Sequence, residues 1–215
     1  RMNVVIGASS RTNTNENSPT NVTPDLLLSG VIRNMMNQQV NSAWGIGNIV
    51  AQHHAKIQFV NEDRYLWGEQ NGTWDAVYNN YRNLQNIFTA VGTDSTNPYL
   101  GVALVLKSWM FAQVTDAYGD VPYSQAGRAK LEGIYQPEYD KQEDIYAGIL
   151  KDLKLANTVL AKATPNLDGD VLYGGGANAI AKWRKLANTL RLRYLLRLSK
   201  QKDVSAEMAG IVADP

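Results

Sequence analysis

From Tyr99 to Val114 the chain carries one charge, Lys107, in an otherwise apolar or neutral run. Asn97 is placed to cap a helix here and Pro98 to take its first position. On a helical wheel Leu104, Phe111 and Tyr118 fall on one side, and Leu106, Met110, Ala117 and Trp109 on the other. A helix that is apolar all round is either a membrane span or the middle of a globular core. A span takes about 20 apolar residues. This run is shorter and Lys107 interrupts it, which predicts a central, buried helix. Gly119 ends it, and Val121-Pro122 forces an extended exit. Asp116 and Asp120 flank the tight turn. Two acids four residues apart fall short of the roughly five or six oxygen ligands a calcium loop places at fixed offsets, so both read as structural.

The other segments fall into place around this helix. Residues 11–22 are polar, without an apolar period, and read as part of an extended leader covering 1–22. Pro24 opens a helix whose apolar positions are Leu26 to Leu28, Ile32, Met35, Met36 and Val40, with Gly45 and Gly47 placed to bend it before Ile49 and Val50. Residues 56–72 form a mixed loop bearing Phe59, Tyr65 and Trp67. Thr73 is then expected to cap a helix with Trp74, Val77, Tyr78, Tyr81, Leu84 and Phe88 on its core face, closed by Gly92. An irregular, tyrosine-bearing loop over 123–141 precedes a helix from about Gln142 to Ala163, with a stripe of Ile145, Ile149, Leu153, Ala156 and Leu160. The triple glycine at 174–176 is expected to be a flexible turn, since neither a GK[ST] nor a preceding strand supports a phosphate loop. Next comes a helix from Ala179 to Lys200. Its two apolar sides are Trp183, Leu186, Ala187, Leu190, Tyr194 and Leu198 on one, and Leu192, Leu195 and Leu196 on the other. A short helix over 204–212 closes the chain. Helix, loop and helix, repeated, predict an all-α fold of stacked hairpins of tetratricopeptide-like type with long irregular loops.

Charge and composition narrow the function. Lys plus Arg number 21 against 20 Asp plus Glu, a balance unsuited to nucleic acid, which selects a concentrated basic surface. The seven basic residues of the 179–200 helix are interleaved with leucines, so they present no free cationic face. No cysteine is present, which excludes disulfides and thiolate chemistry. The two histidines, His53 and His54, are neighbours that point apart on a helix and make a poor metal pair. No nucleophile, acid–base pair or metal motif stands out. The expectation is a non-enzyme with no cofactor and no metal. Eleven Tyr and five Trp with only 19% charged residues suit a polar, uncharged ligand.

Two blocks, KSWMFAQVTDAYGDVPYSQA (107–126) and KWRKLANTLRLRYLLRLSK (182–200), closely resemble the hallmarks of the SusD/RagB family in the family's order. The resemblance extends from about Thr23 onward and makes residues 23–215 a SusD-like helical domain, the N-terminal half of a longer protein. It implies an α–α superhelix, surface capture of an oligomeric nutrient, a glycan in the first reading, and delivery to a SusC-like TonB-dependent transporter in the outer membrane. Peptide binding by the same scaffold and a ligand-free tetratricopeptide-type interaction scaffold are the alternatives. It further implies an extracellular position held by a lipid anchor. RMNVVIGASS holds no lipoprotein cysteine and only a stub of apolar residues, so the anchor is expected upstream of Arg1.

Ligand-facing candidates are Tyr65 and Trp67, with Asp63, Arg64 and Gln70 as polar partners. They sit where an aromatic has no periodic reason to be buried, although anchoring the loop is the competing role for both rings. Trp74 and Tyr78 lie on the helical stripe and are assigned to the core. Arg197 falls inside the apolar stripe of its helix. There a guanidinium must be paired, and Asp116 or Asp120 is the expected partner. Losing such a buried pair is expected to cost roughly 3 kcal/mol.

Overall fold

The computed structural model describes residues 22–213, so the expected leader lies almost wholly outside the described residues. Eight α-helices follow in order: α1 (Pro24–Ser42), α2 (Asn48–Val50), α3 (Gly72–Val91), α4 (Pro98–Tyr118), α5 (Ala129–Glu132), α6 (Gln142–Lys162), α7 (Gly176–Leu198) and α8 (Ser205–Ala213). Among the described residues the nearest approach to a sheet is one antiparallel bridge, Val121 with Asp140. The fold is all-α, and the long helices pack as consecutive neighbours: α1 on α3, α3 on α4, α4 on α6 and α6 on α7.

The helix α4 touches all four of the other long helices. Of its 21 residues 13 are buried, from both sides of the wheel. Its ends form as the sequence dictates. The Asn97 side chain accepts the Tyr99 amide at 3.0 Å, and Gly119 supplies the positive φ of 79° that ends the helix. Lys107 escapes the apolar surround by pairing with Asp152 of α6 at 2.8 Å. Its ammonium also lies 4.7 Å above the Tyr123 ring, and the Tyr123 hydroxyl donates to the same carboxylate at 3.1 Å. Edge-on contacts from Tyr81 (4.8 Å), Tyr123 (4.9 Å) and Tyr78 (6.1 Å) surround Phe111 and join α3, α4 and the following loop.

Several boundaries differ from the sequence expectation. The helix α3 begins at Gly72, and Asn71 rather than Thr73 stands at its N-cap, without a side-chain cap. The bend after α1 is a five-residue π-turn, Ala43–Gly47, in which one extra backbone residue fits between ordinary turns. In α1 itself Leu28, Val31, Ile32 and Met35 are buried, whereas Leu26 and Val40 face outward. The loop over 123–141 contains α5 and is pinned at its end. There the Asp140 carboxylate accepts the Tyr123 and Ser124 amides, both at 2.8 Å. The glycine turn before α7 is organised, not slack. Buried Asp170 accepts the Leu172 amide at 3.0 Å, the Tyr173 amide at 3.1 Å and the Trp183 indole at 2.9 Å. Ser29 Oγ donates to the Gly169 carbonyl at 2.9 Å, fastening this turn to α1.

Two tests follow from this packing. A Cβ at Gly101 would lie 2.6 Å from Leu160 Cγ in the α4–α6 contact, so Gly101→Ile should destabilise by about 2–3 kcal/mol in urea denaturation, as overpacking does. At Asp140 burial raises the carboxyl, but the Ser124 and Tyr123 hydrogen bonds outweigh it and leave the pKa below its ordinary value. A depressed folded-state pKa contributes stability above the unfolded value and loses it as pH falls through the folded one. Asp140→Asn should therefore weaken the neutral-pH fold and flatten its loss of stability on acidification.

Candidate functional site

Between the π-turn and α3 the chain leaves the helical stack. None of residues 51–71 is buried, yet Ile57, Phe59, Tyr65, Leu66 and Trp67 are all exposed apolar or aromatic side chains. The three non-glycine residues with positive φ among the described residues, Gln52, Phe59 and Tyr65, also lie here. Such conformations cost energy and gather at binding loops.

The Tyr65 and Trp67 rings come together, with centroids 5.6 Å apart and planes tilted by 56°. Tyr65 is 53% and Trp67 41% exposed. The Tyr65 backbone at φ 57° closes the 3₁₀ turn Glu62–Arg64, and the Tyr65 hydroxyl donates to the Val50 carbonyl at 3.5 Å. Asp63 accepts the Lys56 amide at 3.2 Å, and Lys56 Nζ pairs with Glu62 at 2.7 Å, so the turn is braced from within. Asp63 and Tyr65 share a shallow hollow of ≈ 410 Å³ with Ile49, Gln52 and His54. Arg64 is exposed and lines no neighbouring cavity. Gln70 lines a second hollow of ≈ 510 Å³ beside Tyr118. The structure thus sets Tyr65 beside Trp67 on one hand and Asp63 on the other, and places Gln70 in a separate hollow.

Trp74, assigned by its helical stripe to the core, is only half-buried. It packs on Tyr78 (4.7 Å), meets Tyr118 edge-on (5.5 Å, 89°) and stacks near Tyr139 (6.2 Å, 30°). Tyr118 and Tyr139 are exposed. The periodicity of α3 gave no sign of this second aromatic group, because its members come from three separate segments.

The arginine on α7 also differs from expectation. Arg197 Nη1 donates to Asp116 and, at 3.0 Å, to the Tyr146 hydroxyl, which itself donates to Asp116 at 2.6 Å. The pair joins α4 to α7, but Arg197 is 43% and Asp116 31% exposed along their side chains. Arg197 lies in the last turn of α7, where the flanking helices no longer cover the stripe. Asp120 takes a different partner, accepting the Gln142 amide at 2.9 Å. The buried arginine of α7 is Arg191, paired with Glu207 of α8 at 2.8 Å. Leu196, expected on an apolar side, is 63% exposed.

The family model SusD-like_2, described as starch-binding associating with outer membrane, matches residues 16–215. The chain belongs to the SusD-like family. Among solved structures, this SusD-like chain is similar to a SusD homolog from Bacteroides fragilis at 29% identity and TM-score 0.69, covering 90% of this chain and 41% of that one. A second B. fragilis SusD homolog aligns at 25% identity and TM-score 0.72, with coverage of 90% and 41%. A protein described as chitin-binding aligns at 30% identity and TM-score 0.67, over 88% of this chain and 41% of that one. The chain therefore spans about two fifths of the length of these relatives. No curated protein matches it. Among the described residues no helix is long and apolar enough to cross a membrane, and no group of three His, Cys, Asp or Glu is placed to hold a metal.

Because the Arg197–Asp116 pair is largely solvated, Arg197→Leu should cost no more than about 1 kcal/mol in chemical denaturation. A loss of several kcal/mol would show that the pair behaves as a buried one.

Proposed function

We propose that this chain captures an oligomeric nutrient, a glycan, at the outer face of the outer membrane and passes it to a SusC-like TonB-dependent transporter. The observation that carries the reading is the exposed Tyr65–Trp67 ring pair on an excursion that contributes nothing buried to the core. Sugars present flat C–H faces to aromatic rings and hydroxyls to side chains that both donate and accept, and ligand sites combine apolar walls with a few placed polar groups. Asp63, Arg64 and Gln70 are the polar partners in this reading. Asp63 shares the hollow with Tyr65, Gln70 extends the surface toward α3, and Arg64 stands exposed at its edge. The family's description as starch-binding and the chitin-binding relative add support, since starch and chitin are both glycans.

The test is a combined glycan and peptide array on the purified chain and its Trp67→Ala variant. Trp67→Ala should lose at least about tenfold in glycan affinity, the loss expected for about 1.4 kcal/mol of ring contact. Its melting temperature should barely move, because Trp67 lies outside the core. Binding confined to peptides, or unchanged glycan affinity in the variant, would reject this assignment.

A further inference from the structure

The groove that receives Gln70 is formed by the end of α1, the start of α3 and the end of α4, and holds ≈ 510 Å³, within the range of about 300–1,000 Å³ typical of ligand pockets. Tyr118 forms its aromatic wall, and the Tyr118 hydroxyl donates to the Gln70 carbonyl. Gln38, Asn41, Gln70 and Thr73 supply amides and a hydroxyl. Neither the Asn41 amide nor the Thr73 hydroxyl has a hydrogen-bond partner among the described residues, so both retain their full capacity for a ligand. No lysine or arginine lines the groove. Its one carboxylate, Glu62, is held by Lys56 at 2.7 Å, and that contact keeps the carboxyl below its ordinary pKa. The nearby cation Arg64 lies outside the groove.

We infer that this groove is a second subsite, bordering the loop that carries the Tyr65–Trp67 pair, and that it selects uncharged oligosaccharide units. The inference rests on the glycan reading above and adds two things to it: the span of the ligand and its charge. Gln70 follows Trp67 by three residues, so their backbones lie at most about 10 Å apart, a separation that one extended ligand would bridge. Sugar hydroxyls both donate and accept, as do the side-chain amides and hydroxyl that await them. A uronate or sulfate entering the same groove would give up part of its hydration with no lysine or arginine among the lining residues to offset the loss. The wall continues outward through Trp74 to exposed Tyr139, giving further ring surface to a longer chain.

The experiment is titration calorimetry of the purified chain with malto- and chito-oligosaccharides, as disaccharide and hexasaccharide, and with oligogalacturonides of matching length. Neutral hexasaccharide should bind about tenfold or more tightly than the disaccharide, and oligogalacturonides should bind weakest. Asn41→Ala and Tyr118→Ala should each lower hexasaccharide affinity by roughly fivefold to tenfold, as loss of one hydrogen bond or ring contact does, while leaving disaccharide affinity unchanged. Asn41→Lys should raise oligogalacturonide affinity. Length-independent binding, preference for the galacturonides, or silence of both groove variants overturns the subsite. If Trp67→Ala abolishes binding while the groove variants are silent, the ring pair stands and the subsite falls. If the groove variants abolish binding and Trp67→Ala does not, the ring-pair assignment falls instead. Absence of binding to every neutral probe overturns both.

Discussion

Burying α4 on every side obliges the rest of the chain to surround it. An amphipathic helix needs one partner face, whereas a helix with 13 buried residues of 21 needs neighbours in all directions. That requirement brings α1, α3, α6 and α7 onto one axis and sets where each loop must cross. Three of the polar side chains that α4 carries inward find partners, whereas the buried Gln113 Nε2 has none among the described residues. Ser108 Oγ reaches the Ile149 carbonyl at 3.5 Å, Thr115 Oγ1 reaches the Gly119 carbonyl at 2.7 Å, and Lys107 draws Asp152 and Tyr123 into one cluster. The loop after α4 is held through that cluster and through Asp140, so the segment that carries Tyr139 takes its position from the core.

How much of this was legible in the sequence varies by physical cause. Both ends of α4 could be read because Asn97, Pro98 and Gly119 act locally, through a cap, a fixed φ and a left-handed residue. The stripe of α6 could be read because Ile145, Ile149, Leu153, Ala156 and Leu160 recur at helical spacing on one side, and all five are buried. The wheel failed on α7 for a different reason. It gives the direction of Arg197 correctly but not where the covering helices stop, and the last turn runs beyond them. Arg191 is one of seven basic residues interleaved with leucines, and no sequence signal sets it apart. Its burial depends on α8 folding back to bring Glu207, which no local pattern announces. Likewise the glycines before α7 suggested slack, while order came from a single acid, Asp170, reaching an indole 13 residues away.

The candidate site divides in the same way. Tyr65 and Trp67 stood out because they interrupt any helical period, and the structure places their rings side by side. The groove next to them could not be found by such reasoning. Thr73 read as a helix cap, Tyr118 as part of an apolar side and Asn41 carried no signal, and only the meeting of three helix termini puts them on one surface. Gln70 belongs to both descriptions, since it lies near the ring pair in sequence and in the groove in space.

The absence of any buried residue from 51 to 71 has a consequence for how such a chain changes over time. Substitutions in this segment remove no core contact, so their effect on stability stays small while their effect on surface chemistry is direct. The backbone strain at Gln52, Phe59 and Tyr65 is already borne by the helices that flank it. Selection on what the surface binds and selection on whether the chain folds therefore act on nearly separate sets of positions. A lineage carrying this scaffold is free to change what this surface presents by rewriting about twenty consecutive residues, with α4 and its surroundings left unaltered.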